Sequence, residues 1–137
     1  MFEVFAQIGY LTFALIISKS DITRRIISNR SLLFFAIFSV LLNIKLLGLT
    51  FLISVCLATC LLIAIHLIFS GRVGSGDLKL FWVMTIWSPV FLEWLVFFAW
   101  TWILGGIFSI ASSLYLRRLG ASIPFAPFIF LGFLASI

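Results

Sequence analysis

Apolar stretches fill almost the whole of this chain, and the polar breaks between them are too short to fold on their own. That feature decides the fold class. Of 137 residues, 64% are hydrophobic and only 9% are charged, whereas an average soluble domain is roughly 25% charged. A mean hydropathy of +1.34 agrees. The expectation is an all-α, polytopic transmembrane helix bundle, one domain over residues 1–137. At about 20 residues per crossing, about six spans use up the chain. No room is left for a soluble domain, a nucleotide-binding loop or a nucleic-acid module. The net charge of +5 therefore reads as loop charge that orients the protein in lipid. Met1 to Ile17 carries Glu3, no basic start and no small-residue cleavage site, so this first apolar stretch is expected to be retained.

In order, the spans are expected at about Phe2–Ile17, Ser31–Leu42, Leu49–Phe69, Leu78–Trp87, Phe91–Leu116 and Phe125–Ile137. The first is expected to break at Ser18-Lys19-Ser20-Asp21, and Ser88-Pro89 closes the short fourth. Alternate loops then carry Lys19, Arg24, Arg25, Arg30, Arg72, Lys79, Arg117 and Arg118 on one side and Lys45 on the other. Basic residues collect in cytoplasmic loops. This puts the N-terminus outside and the Asp21 and Gly74–Lys79 stretches in the cytoplasm.

The chain's two aspartates, Asp21 and Asp77, fall on that same side, each at the membrane end of a helix. An acid at a helix centre costs roughly 2.5–3.5 kcal/mol on insertion scales, so such groups usually face a partner or a water-filled cavity. Two carboxylates in one low-dielectric site do not both ionise; one is pushed up and the pair shares a proton. An aspartic protease needs that state. The ionised member takes a proton from water, and the protonated member donates to the scissile carbonyl. Gly74 and Gly76 let backbone approach closely or take unusual dihedrals beside Asp77. Lys79 either brings its cation to the site or snorkels to headgroups. The plainer readings are that Asp21 caps a helix starting near Ile22, and that Asp77 is an N-cap or the ion-pair partner of Lys79 or Arg72.

The remaining polar and aromatic residues take structural readings. Cys56 and Cys60 are too few for a structural zinc site and read as small buried residues. His66 reads as an interhelical hydrogen bonder. Trp82, Trp87, Trp94, Trp100 and Trp102 read as lipid-facing or interfacial. Arg117 and Arg118 read as orientation signals.

Three segments together resemble the type IV prepilin peptidases, in particular the short, peptidase-only kind that serves tight-adherence pili. Asp21-Ile22-Thr23-Arg24-Arg25-Ile26-Ile27-Ser28-Asn29-Arg30 is similar to the family's Asp-containing basic loop. Gly74-Ser75-Gly76-Asp77-Leu78-Lys79 is similar to its Gly-x-Gly-Asp-hydrophobic-Lys signature. Ile123-Pro124-Phe125-Ala126-Pro127-Phe128 is similar to its Pro-aromatic-Ala-Pro segment. Ser28 departs from the pattern, standing where the family usually has Pro. The resemblance implies an aspartic endopeptidase of the bacterial inner membrane, with Asp21 and Asp77 as its catalytic pair. It implies prepilin or pseudopilin substrates, cut on the cytoplasmic side after a Gly that precedes a hydrophobic helix, pilus or secretion-assembly components as further partners, and no metal or cofactor. The larger members' domain with paired Cys-x-x-Cys motifs has no counterpart here, so N-methyltransferase activity is not expected.

Two other readings compete. Presenilin-like proteases also use Gly-x-Gly-Asp but pair it with Tyr-Asp in a helix, whereas Ser20 precedes Asp21 here. A transporter or a non-enzymatic secretion-assembly subunit would use the aspartates to carry protons or make ion pairs.

Overall fold

Within a bilayer, a backbone that cannot reach water must satisfy its own N–H and C=O groups, and a chain this apolar does so as helices. The computed structural model describes residues 2–46, 48–69, 73–116 and 123–137, and among these it is all-helical. Six α-helices follow one another: α1 Phe2–Arg24, α2 Asn29–Asn43, α3 Leu49–Ile68, α4 Ser75–Met84, α5 Phe91–Leu116 and α6 Ala126–Ser136. A 3-10 turn, Ile44–Leu46, ends α2. Arg72, Arg117 and Arg118, assigned to cytoplasmic loops above, lie outside the described residues.

The expected break at Ser18 does not occur: α1 runs on through Arg24. Its polar last turns stay helical because Thr23 Oγ1 donates to the Lys19 carbonyl at 2.7 Å, while Ser20 Oγ donates to the Ile26 carbonyl at 2.9 Å and ties down the chain that leaves the helix. Arg25 then closes α1 in a left-handed conformation, φ 53°, its N–H donating to the Asp21 carbonyl at 2.9 Å. A left-handed residue just past the last turn is a common helix stop.

The helices Leu49–Ile68 and Phe91–Tyr115 are long and apolar enough to cross a membrane. Only 17% of each is buried, which separates them from the core helices of a soluble protein. Their outward faces, with those of α1 and α2, expose Leu15, Phe34, Leu57 and Ile107. Cys56 and Cys60 point outward as well, contrary to expectation, because Ser54, Ala58 and Leu62 take the buried face of α3.

Short α4 lies at the centre. Leu80, Phe81, Val83 and Met84 are all buried, and the helix packs against α2, α3 and α6. Tight i→i−3 bonds from Thr85, Ile86 and Trp87 lengthen it by a turn. The tryptophans divide. Trp82, Trp100 and Trp102 are exposed, but Trp94 is fully buried, with its indole N–H donating to the Phe81 carbonyl at 3.2 Å. Trp87 is half-buried and donates to Ser39 Oγ at 2.8 Å. A buried indole keeps its place only with such a partner.

Candidate active site

Helix α1 delivers Asp21 in its last turn rather than at the start of a new helix, so the capping reading of that residue fails. The side chain is buried at 6% exposure. Its Oδ2 accepts the backbone N–H of Ala126, the first residue of α6, at 2.9 Å. The C-terminal end of α1 is electrostatically the wrong place for a carboxylate, and the N-terminal end of α6 is the right one. The second helix end thus offsets the first.

Helix α4 delivers Asp77. Gly74 is the N-cap residue, so Asp77 is the third residue of the helix and not its cap. Both glycines matter through proximity. Gly74 has ordinary extended dihedrals, φ −64° and ψ 133°. A Cβ on Gly74 would stand 2.9 Å from Asp77 Oδ2, so the carboxylate folds back over a position that only glycine leaves open. A Cβ on Gly76 would meet Ile27 Cβ at 3.1 Å, so Gly76 lets the first turn of α4 close against the loop that follows Asp21.

The result is one cavity of about 340 Å³ whose lining includes Asp21, Asp77, Gly74, Gly76 and Lys79, together with Arg25. Every residue singled out from the sequence as catalytic or supporting therefore reaches the same space. Asp77 lies just ahead of the apolar segment that begins at Leu78. Burial pushes its carboxyl up to about 7, and the nearby charge of Asp21 adds to the shift. Lys79 Nζ donates to Asn29 Oδ1 at 3.1 Å, tying the start of α4 to the start of α2. His66 is exposed and lines a different cavity, beside Trp82 and Thr59.

Two contributions were not read from the sequence. One is the Ala126 N–H, a backbone group 105 positions from its partner. Its only trace in sequence was Pro124 and Pro127, which mark where a helix can begin. The other is a second cavity on the far side of Asp77, bounded by Trp102, Gly105 and Gly106 of α5. Among the described residues, no group of three or more His, Cys, Asp or Glu side chains is placed to hold a metal ion.

Neither the curated proteins nor the solved structures contain a match to this chain. A family model does match, over residues 8–110, a stretch that includes both aspartates and the Gly-x-Gly-Asp turn. The chain belongs to the type IV leader peptidase family.

Proposed function

We propose that this peptidase is an aspartic endopeptidase that removes the leader of type IV prepilins or pseudopilins. It cuts on the cytoplasmic face of the bacterial inner membrane, after a Gly that precedes the substrate's hydrophobic helix. The observation that carries this reading is the single cavity shared by Asp21 and Asp77. In the mechanism, water lies between the two carboxyls. The ionised member takes its proton as oxygen attacks the scissile carbonyl, and the protonated member donates to the carbonyl oxygen. Collapse of the tetrahedral intermediate returns a proton to the leaving amine. Burial and the charge of Asp21 raise the Asp77 carboxyl to about 7, which favours a shared proton on the pair near neutral pH. No cofactor enters this scheme, and the proposed activity is proteolysis without methyl transfer.

The same reading has six crossings with the N-terminus outside, supported by the side on which the basic residues collect. Proteolysis is favoured over transport or a purely structural role because the two acids share a cavity beside backbone that glycine leaves accessible.

The test is cleavage in detergent or liposomes of a prepilin whose basic leader ends in Gly. Wild type is expected to cut after that Gly. Asp21→Asn and Asp77→Asn are each expected to lose at least the roughly 10²–10⁴-fold that general acid–base catalysis contributes. Full activity in either variant would mean that the pair is misassigned.

A further inference from the structure

Asp77 has two sides. One faces the cavity it shares with Asp21. The other faces a second cavity of about 330 Å³, whose lining includes Trp102, Gly105, Gly106, Ser109 and Phe125. Trp102, Gly105, Gly106 and Ser109 recur at helical spacing and so share one face of α5. Along that face the two glycines differ. A Cβ on Gly105 would meet the Phe125 ring at 2.7 Å, whereas a Cβ on Gly106 would meet nothing within 4 Å. At Gly106 the wall is therefore bare helix backbone facing open space. Aromatic rings flank it, and backbone groups inside a helix are already satisfied. Such a wall suits an apolar side chain. Its volume is at the low end of the roughly 300–1,000 Å³ of ligand pockets. A helix with its side chains is about 10–12 Å across, so the cavity takes a short extended piece of chain and not a helix.

A peptide bond held between Asp21 and Asp77 must continue past Asp77 in one direction. The cavity on the Asp21 side has Arg25, Asn29 and Lys79 in its lining beside Ile26 and Ile27; the other has the rings of Trp102 and Phe125 with two glycines and Ser109, and no cationic side chain among its lining residues. We propose that the cavity between α4, α5 and the approach to α6 is the subsite for the first apolar residue after the cleaved bond, with Gly106 setting the size it accepts. This rests on the leader-peptidase reading and adds to it the residue that selects among substrates.

The experiment compares two prepilin substrates that differ only in the residue after the cut, Leu or Ala, across wild type, Gly106→Ala and Gly106→Leu. The Leu side chain at position 106 would project into the open space. The expected result is a loss of at least tenfold in kcat/KM for the Leu substrate with Gly106→Leu. The Ala substrate should change less than threefold, and Gly106→Ala should fall between wild type and Gly106→Leu. Equal losses on both substrates, or no change on either, would overturn the subsite. If Gly106→Leu does not accumulate, Gly106→Cys in a Cys56→Ser, Cys60→Ser, Asp77→Asn background decides the matter. With copper phenanthroline added as oxidant, it should form a disulfide with a substrate carrying Cys directly after the cut and not with one carrying Cys in the leader; no such preference refutes the assignment. Wild type that cuts neither substrate counts against the leader-peptidase reading. A missing size switch in an enzyme that cuts both counts against the subsite alone.

Discussion

Gly74 and Asp77 form the smallest unit in which sequence becomes chemistry. Because a Cβ on Gly74 would press on a carboxylate oxygen and not on backbone, Gly74→Ala is expected to move the acid while leaving the fold intact. The prediction is a fall in kcat of tenfold or more with an unchanged melting temperature in detergent. Asp77 also makes stability depend on pH. Its carboxyl is raised from 3.8 to about 7 by burial and by Asp21. A carboxyl raised on folding contributes stability that is full below its unfolded pKa and is lost as pH rises through its folded one. Wild type should therefore melt at a lower temperature at pH 8 than at pH 5. Asp77→Asn, expected to be inactive, should lose much of that decline, and thermal unfolding at the two pH values checks it. At this scale the sequence singled out residues that the structure gathers around one cavity, and it said less about how they are arranged. Two acids and a Gly-x-Gly turn are visible as letters. That Gly74 acts by proximity, with extended dihedrals any residue could adopt, is a matter of three-dimensional contact.

Among the helices, α6 supports the site without carrying either acid. It touches Asp21 through Ala126 and packs closely on α5, where a Cβ on Gly132 would stand 2.8 Å from the backbone of Thr101. Neither backbone can yield cheaply there. Gly132→Ala is expected to cost about 1–3 kcal/mol, the usual penalty for overpacking. It should also lower activity further than stability alone explains, because a displaced α6 carries the Ala126 N–H away from Asp21. Activity measured well below the melting temperature separates the two effects. Helix number and order were legible from the apolar runs and the Gly and Pro breaks between them. The end of α1 was not, because Ser20 and Thr23 look like loop residues. Their hydroxyls instead bond to nearby carbonyls, which lets the helix run past Ser18 to Arg24.

Across the whole molecule, large apolar side chains among the described residues face outward, while the indoles of Trp87 and Trp94 find their partners inside. The proposed six-crossing arrangement makes a direct prediction in a background lacking Cys56 and Cys60. Lys45→Cys should react with a membrane-impermeant maleimide in intact cells, and Arg24→Cys only after permeabilisation. Labelling of both from the same side would refute the topology. The cysteine and tryptophan assignments show where sequence ran short at this scale. In a bundle apolar on every face, hydrophobicity does not say which side is in. Trp94 is buried and Cys56 exposed because of what neighbouring helices offer.

The bond between Asp21 and Ala126 also has a consequence in time. In the proposed topology helices enter the bilayer in the order in which they are synthesised, so α1 would bring its acid to the membrane edge while α6 is still unmade. Until α6 arrives, Asp21 lacks the N–H that fixes it. On the proposed reading, a chain whose α6 has not yet been made therefore has both acids but an incomplete site.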